Sequence, residues 1–131
     1  MTSPTITRAD VATVQNIVLH GLECIKSGGF VDWSPWQVLN KCASGEWHLL
    51  MIGEERFMII SLNINTFTDE RFLCMEAVYC QGFNDIVTVL PEIDQLAREM
   101  GCAYIEMQSN RKGFERTGWT VHDISYRRRL S

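Results

Sequence analysis

Arg71-Phe72-Leu73-Cys74-Met75-Glu76-Ala77-Val78-Tyr79-Cys80 is the stretch on which the fold turns. Its two alternating sets are Phe72, Cys74, Glu76, Val78, Cys80 and Leu73, Met75, Ala77, Tyr79. Both are mostly apolar, so the run reads as a strand covered on both faces. On its C-terminal side, Ile86, Val89, Leu90, Ile93, Leu96, Ala97 and Met100 recur at helical spacing. Asn84 and Asp85 read as caps and Gly101 as the stop. Pro91 inside this stripe predicts a kink; the rival reading starts the helix at Pro91. Ala103 to Gln108 is the next strand, placed to pair parallel to the first through a right-handed crossover.

On the N-terminal side, Trp47 to Ile52 and Arg56 to Asn65 are strand-like. Gly53-Glu54-Glu55 and Thr66 to Glu70 are short turns, so these two strands and Arg71 to Cys80 form an antiparallel meander. Ahead of it, Val11, Val14, Val18, Leu22 and Ile25 mark one amphipathic helix, with Thr7 and Asp10 at its start and Gly28-Gly29 at its end. Ser34 is a good N-cap and Pro35 suits the first helical position of a second helix, running through Leu39 to Cys42. Trp33 and Trp36 beside it read as cover for the core edge, with an aromatic ligand wall as the other reading. At the C-terminal end, Asn110 to Thr117 holds at most two helical turns, and Thr120 to Arg129 reads as a final strand. The expected fold class is α/β (α+β), a mixed sheet with flanking helices in a single domain over residues 1–131.

The 131 residues are enough for one self-sufficient core. A hydrophobic share of 46% and a charged share of 21% exclude a disordered or fibrous chain. Sixteen acids against twelve basic residues give a net charge of −4, which disfavours nucleic acid as partner. The terminal Arg127-Arg128-Arg129 reads as a solvated end. No membrane segment and no secretory signal are expected. Five cysteines, mostly inside apolar segments, read as reduced thiols without a disulfide framework. Cys74 and Cys80 are too far apart along a strand to grip one metal ion, and no paired ligand motif exists. His20 and His48 have no arguable partners, and His122 reads as a surface or hydrogen-bonded residue on the last strand.

The order of elements, with Gly113-Phe114-Glu115-Arg116-Thr117-Gly118-Trp119 near the end, resembles the GNAT fold of acetyl-CoA-dependent N-acetyltransferases. That segment looks like the family's aromatic-Glu-Arg-x-Gly-aromatic stretch. Asn110 and Met100-Gly101-Cys102 add to the likeness. The small size and Trp-rich second helix look similar to acetyltransferase-like proteins of tailed bacteriophages. The resemblance implies acetyl-CoA lying along Phe72–Cys80, touching Val78, Tyr79 and Cys80, with its phosphates near Gln81, Gly82 and Asn84. Backbone amides at a helix start would hold those phosphates. Three positions depart from the family pattern. Tyr79 falls where Gln or Arg belongs, Asn84 where Gly or Ala belongs, and Phe114 where a proton-donating Tyr belongs. Asp85 would add a negative charge where the diphosphate should sit.

A general base is the remaining requirement. Glu76 is a carboxylate inside an apolar strand, where desolvation would raise its pKa; the plain alternative is that it faces solvent. Glu106 on the neighbouring strand has a weaker claim. Tyr126 is the candidate acid. Two readings follow. The first is a non-catalytic binding or structural protein, virion-associated, needing no cofactor and engaging a protein partner, either phage virion proteins or itself. It would reside in the host cytoplasm or the virion. The second is an active N-acetyltransferase using acetyl-CoA, with Glu76 as base and Tyr126 as acid.

Overall fold

A computed structural model describes residues 6–27, 33–80, 83–107, 119, 120 and 128, with residues 83–86 described in backbone only. The elements are β1 (Ile6–Arg8), α1 (Val11–Ser27), α2 (Pro35–Ala43), β2 (His48–Ile52), β3 (Arg56–Ile64), β4 (Arg71–Tyr79), α3 (Phe83–Glu99) and β5 (Tyr104–Met107). The sheet runs in the order β1-β2-β3-β4-β5. The first three pairings are antiparallel, and β4 pairs with β5 in parallel. The meander and the crossover are therefore as the sequence indicated. The expected helix at Asn110 to Thr117 and the expected strand at Thr120 to Arg129 lie largely outside the described residues.

Local chemistry sets the element ends. Ser34 caps α2 in a full capping box: its hydroxyl accepts from the Gln37 amide, and the Gln37 side chain accepts from the Ser34 amide at 2.9 Å. Gly101 ends α3 with φ +76°. Its amide bonds the Arg98 carbonyl at 3.0 Å, and the Cys102 amide bonds the Ala97 carbonyl at 2.9 Å, which turns the chain back toward β5.

Three expectations need correction. Thr7 is not a helix cap; it lies in β1, opposite Met51. The cap of α1 is Asp10, whose Oδ1 accepts from the Ala12 amide at 3.1 Å. Asn84 and Asp85 are not caps either, because α3 already begins at Phe83 and they occupy its first turn. The rival start at Pro91 fails with them, since Pro91 sits inside a helix of 17 residues.

The sheet separates two cores. Toward α1 and α2 lie Val18, Leu22, Val38, Leu49, Phe57, Ile59 and Ala77. Toward α3 lie Leu50, Met58, Ile60, Leu73, Met75, Val89 and Ile93. Gly21 lets α1 approach closely: a Cβ there would run into the Phe57 ring and come within 2.9 Å of Tyr79 Cδ2.

The third correction concerns β4 itself. Pairing with β3 jumps from Ile59↔Ala77 to Ile60↔Met75, so Glu76 is an extra residue with no partner across the ladder. A bulge of this kind shifts the side-chain alternation by one. Leu73 and Met75 pack on the α3 side, whereas Ala77 and Tyr79 pack on the α1 side. The strict two-face alternation expected for Arg71 to Cys80 thus holds only on either side of Glu76.

Candidate active site

β3 keeps its alternation through the bulge. Phe57 and Ile59 point to the α1–α2 core, so Ser61 and Asn63 follow on that face, beyond the core's last residues. Across from them in register stand Cys74 and Phe72, with the bulged Glu76 two residues past Cys74. Ser61 Oγ donates to Glu76 Oε1 at 2.8 Å, and Asn63 Nδ2 donates to Ser61 Oγ at 2.8 Å. Ser61 is only 4% exposed, while Glu76 is half-buried. The carboxylate is therefore held at one oxygen by a buried hydroxyl and is itself partly exposed.

Cys74 precedes Glu76 on the same face. Burial pushes its thiol up to about 12, helped by the charge of Glu76, a hydrogen bond with that carboxylate and the charge of Glu106; contact with Ser61 offsets part of this. Cys74 is thus a thiol at neutral pH, a donor rather than a nucleophile. Glu106 of β5 stands level with Cys74 in the parallel ladder, so the two carboxylates singled out from sequence flank one thiol. Two pairs further back, Phe72 and Tyr104 stack with centroids 5.0 Å apart and planes 5° from parallel. Asn65 Nδ2 donates to Tyr104 Oη at 3.0 Å and holds that ring.

The described β4–β5 pairs run from Phe72↔Tyr104 to Met75↔Met107, and β4 itself runs to Tyr79. Glu76 follows the last of these pairs on β4. The other sequence candidates divide. Tyr79 is held among rings, with Phe57 at 5.6 Å and the edge of His20 at 6.3 Å. Val78 and Cys80 turn to the α3 side, near Leu90. Asn84 is the second residue of α3. Gln81, Gly82, Phe114, His122 and Tyr126 lie outside the described residues.

Several partners were not anticipated. Ser61 and Asn63 interrupt the inward apolar period of β3, a signal that marks them as polar without showing what they bond. His20 does have partners: its Nε2 lies 3.7 Å from Cys24 Sγ, at the i, i+4 spacing of one helix face. His48 Nδ1 accepts from Arg8 Nη2 at 2.7 Å, a contact between β1 and β2 that no local spacing reveals. Trp33 covers the α1–α2 core as expected, but Trp36 is 54% exposed. Trp33 and Trp47 border a depression of about 320 Å³ with Gln37, Asn40 and Lys41. Lys41 lies over the Trp47 ring and pairs with Glu46 at 2.9 Å. No group of three or more metal-ligating side chains occurs among the described residues, and no described helix is long and apolar enough to cross a membrane.

No protein-family model matches the sequence, and no curated protein matches it either. Solved structures do match in shape. A probable acetyltransferase superposes with a TM-score of 0.69 at 11% identity, over 97% of this chain and 98% of its own. A putative acetyltransferase from Arthrobacter sp. FB24 gives 0.68 at 18% identity, over 99% and 98%. An aminoglycoside acetyltransferase from an uncultured soil metagenomic sample, solved with sisomicin, gives 0.66 at 8% identity, over 97% and 96%. Identities this low speak to the fold alone. With the mixed sheet, the β4–β5 crossover and the flanking helices in place, the chain has the GNAT acetyltransferase fold.

Proposed function

We propose that this protein is an acetyl-CoA-dependent N-acetyltransferase in which Glu76 is the general base. The observation that carries the reading is the bulge: it sets a half-buried carboxylate, tethered by Ser61, on the strand shared by the meander and the crossover. Acetyl-CoA, when bound, supplies the activated acyl group. The first amides of α3, from Phe83 onward, fit such a ligand, because helix-start amides lack intrahelical acceptors. Val78, Tyr79, Cys80, Gln81, Gly82 and Asn84 are the residues assigned to hold it. Glu76 accepts the proton from the amine nitrogen, Glu106 adds negative charge that favours a cationic acceptor, and Tyr126 is assigned as the acid. The acetyltransferase neighbours support this reading.

A second reading, a non-catalytic, virion-associated protein with a protein partner, is favoured by one observation. Asp85 is the third residue of α3, which puts an acidic residue in the helical turn that would face a diphosphate. Titration calorimetry with acetyl-CoA separates the two. The enzymatic reading expects micromolar binding that is lost in Gly82→Trp. It also expects Glu76→Gln to lower kcat by about a hundredfold or more, the usual weight of a general base. No heat at millimolar acetyl-CoA would leave the second reading in place.

A further inference from the structure

We infer that Ser61 is the residue that aims the Glu76 carboxylate, a positioning residue for proton removal; the inference rests on the reading of Glu76 as the base. Ser61 is the one buried polar residue among the described residues, at 4% exposure. It occupies the next inward position of β3 after Phe57 and Ile59, where an apolar side chain would have extended the core. A buried hydroxyl is costly unless both its donor and its acceptor are used. Here both are. Asn63 Nδ2 can only donate, so it takes a lone pair of Ser61 Oγ and leaves the hydroxyl hydrogen for Glu76 Oε1, each contact at 2.8 Å.

Glu76 needs this more than an ordinary strand residue would. As the bulged residue it has no cross-strand partner to fix its direction. A glutamate also has three rotatable side-chain bonds, and a base displaced by an ångström loses much of its effect. Cys74, two residues earlier on the same face of β4 and directly opposite Ser61, remains a thiol beside that carboxylate. With Oε1 tied down, the remaining lone pairs are left for an incoming amine.

The test compares acetyl transfer by the wild type and by Glu76→Gln, Ser61→Ala, Ser61→Thr and Asn63→Ala, each checked for a wild-type circular dichroism spectrum. Ser61→Ala is expected to lower kcat about tenfold, a fraction of the base's own contribution, with KM for acetyl-CoA unchanged. Ser61→Thr keeps the hydroxyl and is expected to recover most of that loss. Asn63→Ala frees the hydroxyl to turn and is expected to fall between them. If Ser61→Ala does not fold, Ser61→Thr and Asn63→Ala carry the comparison. Glu76→Gln inactive with Ser61→Ala and Asn63→Ala at wild-type kcat would overturn the inference alone. A Thr variant as slow as the Ala variant would do the same. A fully active Glu76→Gln, or a wild type without transferase activity, would overturn the reading of Glu76 as well.

Discussion

Thiols attack and are alkylated as thiolates, so a buried thiol beside a carboxylate is protected twice. Cys74 is such a group, pushed up to about 12 first by burial and then by Glu76; burial alone takes Cys42 up to about 11. Cys24 is exposed on α1. Iodoacetamide at about pH 8 should therefore label Cys24 first and spare Cys74 and Cys42 until the protein is unfolded. Peptide mass spectrometry reads the order, and a Cys74 as quick as Cys24 would contradict the cluster. The sequence exposes Glu76 because a charge between two apolar faces stands out. It does not expose the carboxylate's donor. Ser61 lies 15 residues away, and only the pairing of β3 with β4 brings the two together.

The lesson at the level of elements is one of length and register. α2 was readable to its cap, since Ser34, Pro35 and Gln37 carry the whole capping box within four positions. β1 was not: three residues cannot display an alternation, and Thr7 beside Asp10 imitates a helix start. The bulge was also hidden, because one extra residue is defined against the partner strand and leaves no local mark. α1 offers a prediction of its own. It packs on the sheet through Gly21, whose missing side chain makes room for Phe57 and Tyr79. Gly21→Ala gains helix propensity but must push α1 outward or displace two packed rings. The expected result is a net loss of about 1–3 kcal/mol, typical of overpacking, read from urea denaturation. A stabilised variant would mean that α1 sits less tightly than the ring contacts indicate.

Over the whole molecule, acid sensitivity should trace in part to the contact between the first strand and its neighbour. Arg8 donates to His48 Nδ1, which requires that nitrogen to be unprotonated. Burial first, and the Arg8 charge second, hold the His48 imidazole below its ordinary 6.5. The unfolded chain therefore takes up the proton before the folded one as the pH falls, so this contribution is intact above about pH 7 and is lost on acidification through the unfolded pKa toward the folded one. Denaturant midpoints measured on either side of that window should drop toward acid, and His48→Gln should flatten the drop. An unchanged pH slope in the variant would dismiss the contact as a source. The order of layers was legible in the chain's changing periods, from helical to strand-like and back. The pairing of distant side chains was not.

The bulge has different consequences for substitution and for deletion in β4. Because the extra residue, whatever its identity, bends β4 and swaps its faces, the shape of the strand and the chemistry it carries are separable. Replacing Glu76 removes a carboxylate and leaves the bulge, whereas an in-frame deletion there would straighten the strand and send Ala77, Val78 and Tyr79 each to the opposite layer. The order of the two layers past the bulge therefore depends on the number of residues in β4 and not on which residue fills the extra position.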